Sequence, residues 1–139
     1  MQKVCVSRSP EETEKLGEEF GKEITADTVI ALKGGMGMGK TCFVRGLAKG
    51  LGFAGETYSP TFAIVNEYIG GRLPLYHFDM YRVESFEDLY STGFFDYLET
   101  GAVLAIEWSE NIAAALPENT VEIEFERISD TERKITFGR

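Results

Sequence analysis

The 139-residue sequence predicts an α/β fold in which helices lie on both faces of a mixed sheet, parallel at its centre and antiparallel at its margins. Three observations predict it. Residues 29–32 (VIAL) form an apolar run that leads directly into a glycine-rich loop and then an apolar periodicity of helical spacing. Residues 102–106 (AVLAI) are continuously apolar, as in a strand covered on both faces. Two pairs of alternating segments, 61–68 with 73–79 and 121–128 with 133–137, read as antiparallel hairpins.

Taken in order, Ser9-Pro10-Glu11-Glu12 is a helix start, with a serine cap, proline at the first helical position and glutamate three residues after the cap. That helix is expected to run to about Lys22 and to bury Leu16 and Phe20. After the glycine loop, Phe43, Val44, Leu47, Ala48 and Leu51 recur on one helical face, and Gly50 and Gly52 offer a stop. Ile69-Gly70-Gly71-Arg72 is a tight turn between the first two alternating strands, and Pro74 favours an edge position for the second. Residues 85–99 read as one or two short helices broken at Gly93, with GFFDYL expected to be core rather than partner surface. Residues 111–116 read as a short helix stopped by Pro117, and Ser129-Asp130-Thr131 turns the last hairpin.

Length and composition predict one domain spanning residues 1–139. A net charge of −9 argues against broad nucleic-acid binding, which relies on lysine and arginine against phosphate. Cys5 and Cys42 have no metal-ligand spacing; a disulfide between them is open on sequence, and both read as free thiols in a reducing cytosol. No apolar run approaches a membrane span, and the N-terminus has no signal-peptide core, so a cytoplasmic protein is expected.

The loop itself, GGMGMGKT, fits G-x-x-x-x-G-K-[ST], with Gly34 first, Gly39 before Lys40, and Thr41 last. Strand, loop and helix follow in the order the phosphate loop requires, which makes the expected fold a P-loop NTPase-like three-layer sandwich. The competing reading is an ordinary glycine-rich turn. Glycines let successive backbone N–H groups of Gly35, Met36, Gly37, Met38, Gly39, Lys40, Thr41 and Cys42 face a phosphate, while the helix N-terminus adds positive potential. Lys40 would reach the β- and γ-phosphates of ATP, and the Thr41 hydroxyl would bind Mg²⁺. Cys42 as a side chain reads as buried and inert.

Hydrolysis also needs a carboxylate for metal and a group that orients water. Glu107 follows the run 102–106 and Asp79 ends the strand 73–79, so both would reach the nucleotide edge of the sheet. Sequence leaves the metal and water-orienting roles open between them, and the plainer reading of each is a solvated strand-end acid. Thr61, at a loop-to-strand entry, reads as a cap or as a sensor of metal or γ-phosphate. His77, the single histidine, reads as a core or strand-face residue, and Trp108 as core or as a neighbour of the nucleotide.

These blocks, SPEET, GGMGMGKTCFVRGLAKGLG, SPTFAIVNEY, LPLYHFDMYR and AIEWSE, together resemble the bacterial tRNA threonylcarbamoyladenosine (t6A) biosynthesis ATPase family, TsaE, over nearly the whole chain. The resemblance implies a slow ATPase that works with a two-protein transferase complex, of TsaD and TsaB type, installing threonylcarbamoyl on adenosine 37 of tRNAs that read ANN codons. It implies site roles for Thr61, Asp79 and Glu107, places Trp108 near the nucleotide, and makes contact with tRNA indirect. Gly35, Met36, Met38 and Cys42 stand where the family loop commonly has an acid, leucine, alanine and a second threonine. Lys40 and Thr41 are intact, so nucleotide binding is expected to survive. EWSE replaces the frequent EWPE, with little consequence expected.

The alternative is a small-molecule or nucleoside kinase sharing the loop, which would usually bring an arginine-rich lid; Arg45, Arg72 and Arg82 are scattered. A GTP switch would need N-K-x-D, which the chain lacks. A non-enzymatic scaffold that binds ATP only for folding is a further class.

Overall fold

A computed structural model describes residues 3–35, 38–54 and 65–138. Seven strands form one sheet: β1 (Lys3–Ser7), β2 (Thr28–Lys33), β3 (Val65–Tyr68), β4 (Leu75–Asp79), β5 (Val103–Glu107), β6 (Val121–Arg127) and β7 (Arg133–Gly138). Their spatial order is β1-β7-β6-β2-β5-β4-β3. The four inner strands β6, β2, β5 and β4 run parallel, whereas β1–β7, β7–β6 and β3–β4 are antiparallel. The expected mixed sheet, parallel at its centre, is therefore observed.

Helices α1 (Pro10–Glu23) and α2 (Lys40–Gly50) cover one face. Short helices α3 (Phe86–Ser91) and α4 (Phe94–Leu98) and a 3₁₀ segment (Ser109–Ala115) cover the other. Strand alternation divides the core between the faces: Val103 and Ala105 of β5 pack toward α2, while Leu104 and Ile106 pack toward α4. The whole run 102–106 is buried, as a strand between two helical layers must be.

Ser9 caps α1 as expected, its hydroxyl accepting from Glu12 N–H at 3.1 Å. The centre of its buried face, however, is Thr13, Gly17 and Gly21, with Leu16 and Phe20 half-buried beside it. A β-carbon at Gly17, Gly46 or Gly50 would press into a backbone carbonyl of the opposing helix, so α1 and α2 meet backbone to backbone. Arg72 fastens the ends of this pair, donating to the carbonyls of Gly21 at 2.9 Å, Ile24 at 3.0 Å and Gly50 at 3.2 Å.

Three expectations need correction. β1 was not anticipated: five residues with half-exposed alternation acquire strand structure by pairing with β7. Pro74 does not mark an edge, because β4 lies between β5 and β3. The proline sits one residue before the strand, where its carbonyl accepts Val103 N–H at 2.9 Å and its missing donor is not needed. The helix expected at 111–116 is a 3₁₀ segment that begins two residues earlier, with a non-helical kink at Ile112. The break at Gly93 is real, with φ at +82° between α3 and α4; of GFFDYL only the Phe94 side chain is fully buried, Phe95, Tyr97 and Leu98 being half-buried and Asp96 exposed. Of the strand read at 61–68, residues 61–64 lie outside the described residues. Cys5 and Cys42 are both free thiols. Among the described residues no helix is long and apolar enough to cross a membrane.

Candidate nucleotide site

Parallel strands aim their carboxyl ends at one edge of the sheet, and the loops that leave that edge build the cleft. β2 ends at Lys33 and the glycine loop carries the chain back into α2. Gly39, the residue before α2, has φ at +92°, a left-handed conformation that glycine adopts without strain. That turn lets the first N–H groups of α2 point out of the sheet edge, where an anion is favoured by unsatisfied donors and the helix dipole.

Lys40 opens α2 and is almost completely buried. Its ammonium donates to the Gly34 carbonyl at 2.7 Å, which closes the loop on itself, and lies 3.5 Å from a Glu107 oxygen. Register does the rest. Leu32 of β2 and Asp79 of β4 both pair with Glu107 of β5, so the two candidate carboxylates are neighbours on adjacent parallel strands beside the start of the loop. Asp79 is exposed and its Oδ1 accepts Tyr81 N–H at 3.0 Å. Glu107 is mostly buried and its Oε2 lies 2.6 Å from His77 Nε2.

His77 is thus more than the strand-face residue the sequence suggested: it is buried against a site carboxylate. The signal was present in the alternation of LYHFD, which puts His77 and Asp79 on one face of β4. Burial presses the Glu107 carboxyl upward, but the hydrogen bond and charge of His77, followed by the charge of Lys40, outweigh it and hold Glu107 below the ordinary glutamate range.

Trp108 has φ at +58°, the only non-glycine residue with positive φ among those described. A bulky residue rarely holds that conformation, and here it swings the indole out of β5 and against Tyr81, with ring centroids 4.9 Å apart. A cleft of about 680 Å³ results, and Met38, Gly39, Lys40, Thr41, Cys42, Asp79, Glu107 and Trp108 all line it. Met38, bulkier than the alanine common at this position, also packs against the core under α1 and α2. Gly35 is described and exposed but is not among the lining residues. Met36, Gly37 and Thr61 lie outside the described residues. Sequence reading missed the rest of the lining, formed by Ser9, Pro10 and Thr13 at the start of α1 and by Asp130, Thr131 and Arg133 from the β6–β7 turn. Nothing local marks these residues, because two segments more than a hundred positions apart meet only through the sheet order.

The donor set suits a magnesium nucleotide. Thr41, Asp79 and Glu107 offer oxygen ligands, which a hard cation prefers, and Lys40 offers a positive charge. Among the described residues no three acidic, histidine or cysteine side chains cluster as a self-sufficient metal site. Magnesium bound with nucleotide does not need one, since it takes one or two protein oxygens and completes its shell with phosphates and water.

Comparison with known proteins agrees with this geometry. The family described as threonylcarbamoyl adenosine biosynthesis protein TsaE matches residues 7–135. This chain belongs to the TsaE family. The TsaE protein of Treponema pallidum is 44% identical over 134 residues, covering 96% of this chain and 98% of the relative. The TsaE protein of Bacillus subtilis is 41% identical over 130 residues, covering 93% and 80%. The crystal structure of Bacillus subtilis YdiB superposes with a TM-score of 0.82 at 34% identity, covering 99% of this chain and 84% of that one. The α/β architecture of this TsaE chain is thus that of a solved protein at a similarity well above the level of shared fold alone.

Proposed function

We propose that this TsaE-family chain is a slow ATPase of the cytoplasm. It acts on a threonylcarbamoyl transferase complex of TsaD and TsaB type proteins that modifies adenosine 37 of tRNAs reading ANN codons, and it meets tRNA only through that complex. The relatives' names supply the pathway, and the site supplies the chemistry. The observation that carries the reading is Lys40, buried at the start of α2 and lying between the Gly34 carbonyl and Glu107 with Asp79 in register beside it.

In this reading Lys40 binds the β- and γ-phosphates and the first N–H groups of α2 hold their oxygens. A bound Mg²⁺ would supply charge stabilisation to phosphoryl transfer. The Thr41 hydroxyl and one carboxylate hold it. In this reading Glu107 is the metal ligand and Asp79 orients water, supported by Glu107 having one oxygen on His77 and the other facing Lys40, and by the exposure of Asp79. Trp108 flanks the nucleotide, and Thr61 senses the γ-phosphate or metal, with hydrolysis releasing that contact to reset the transferase.

Phosphate release from Mg·ATP, by the purified protein alone and with the transferase complex added, tests this. Slow turnover that the complex stimulates is expected, and Lys40→Ala is expected to weaken ATP binding by about 10- to 100-fold, the loss of charge-assisted bonds worth about 1.5–3 kcal/mol. Tight ATP binding with no turnover under either condition would contradict the enzymatic reading.

A further inference from the structure

The large apolar residues left exposed fall into two kinds. Val4 and Val6, neighbours on one face of the edge strand β1, and the aliphatic Ile69 and Ile128 carry no ring. Phe86 and Tyr90 are different. They are 69% and 68% exposed, stand one helical turn apart on α3, and their rings lie 6.3 Å apart at 30°. Phe86 also meets Phe95 of α4 at 5.8 Å, so three rings make one continuous apolar surface. Only Leu89 of α3 is buried, so the helix turns its two largest side chains away from the core.

The segment that carries the ring cluster is acidic. Residues 83–103 carry Glu84, Glu87, Asp88, Asp96 and Glu99 and no lysine or arginine. A second copy of this chain, with net charge −9, would bring the same acidic segment against it, and nucleic acid or an anionic membrane would be repelled likewise. Aromatic anchors inside a charged rim are the composition of a protein-binding surface.

Its position links it to the cleft. α3 begins seven residues after Asp79, and the intervening segment is tied down where Asn111 Nδ2 donates to the Met80 carbonyl at 2.9 Å. Tyr81 of the same segment is 59% exposed and packs on Trp108 at the cleft rim. We infer that Phe86, Tyr90 and Phe95 form the docking surface for a protein partner whose own face offers an apolar recess ringed by lysine or arginine, seated beside the nucleotide cleft. This rests on the reading above that the partner is the transferase complex.

The test is calorimetric titration of the transferase complex with the full chain, wild type against Phe86→Ala/Tyr90→Ala and against Glu87→Lys. The α3 cap, in which Ser85 accepts from Asp88 N–H, is not itself altered, and Mg·ATP binding by each variant checks that the fold is kept. The double variant is expected to weaken docking by about tenfold or more, and the charge reversal to weaken it more at low salt than at high salt. Both are expected to bind Mg·ATP as wild type does. Wild-type docking by either variant overturns the surface while leaving the partner reading intact. Absence of docking by the wild type overturns both. Equal loss of Mg·ATP binding, or a wild-type dimer that the double variant turns into a monomer, also overturns the assignment.

Discussion

His77 shows how one side chain can be ambiguous in sequence and specific in space. Its Nε2 holds Glu107 Oε2 at 2.6 Å, inside the sheet, while the other Glu107 oxygen faces Lys40. A carboxylate restrained on one side presents its second oxygen in a single direction, and a metal ligand benefits from such outer support. His77→Ala is therefore expected to lower turnover at saturating Mg·ATP by about tenfold while changing nucleotide affinity little, because Lys40 and the start of α2, the groups proposed to hold phosphate, are kept. Steady-state kinetics with separate ATP titration check this. Loss of affinity with turnover unchanged would assign His77 to binding instead.

At the scale of elements, the pairing of α1 with α2 fixes the phosphate loop. Gly46 faces the backbone of Glu14 so closely that a β-carbon has no room. In an exposed helix Gly→Ala would stabilise by about 1 kcal/mol through helix propensity. Here overpacking wins, and Gly46→Ala is expected to destabilise by about 1–3 kcal/mol. Thermal unfolding followed by circular dichroism reads the sign directly; a raised midpoint would mean that the helices are not in backbone contact.

A second link joins α4 to β3, where the Tyr97 hydroxyl donates to Glu67 Oε2 at 2.7 Å. That hydrogen bond, then burial and the Glu67 charge, push the phenol up from 10.0 to about 12. The folded value is the raised one, so the stabilisation is complete below pH 10 and is lost as pH rises from 10 to about 12. Ultraviolet titration should show a late-ionising tyrosine that Glu67→Gln returns toward the ordinary range. If the variant titrates like wild type, the bond does not govern Tyr97.

For the whole molecule, ligand and fold are expected to be coupled because part of the cleft lining joins segments from opposite ends of the chain, 9–13 and 130–133, assembled by the β1-β7-β6 side of the sheet. Mg·ATP at about 100 times its dissociation constant is expected to add about 2.7 kcal/mol of stability and raise the unfolding midpoint by several degrees. Differential scanning fluorimetry with and without Mg·ATP measures it. An unchanged midpoint at saturating nucleotide would place binding elsewhere than this folded cleft.

Sequence by itself determined the parts whose information is local. A four-residue apolar run, a glycine loop with lysine and threonine, and a helical stripe specify strand, phosphate loop and α2 because backbone conformation and burial pattern act over a few residues. The same holds for the Ser9 cap, the Gly93 break and the last hairpin. Tertiary structure alone decided what depends on register and strand order. It brought Asp79 level with Glu107, set His77 on Glu107, made β1 a strand and Pro74 an interior neighbour, and brought the β6–β7 turn to the same cleft as the phosphate loop. The physical reason is that pairing between distant strands is chosen by the burial of the whole sheet, a quantity that no single segment carries.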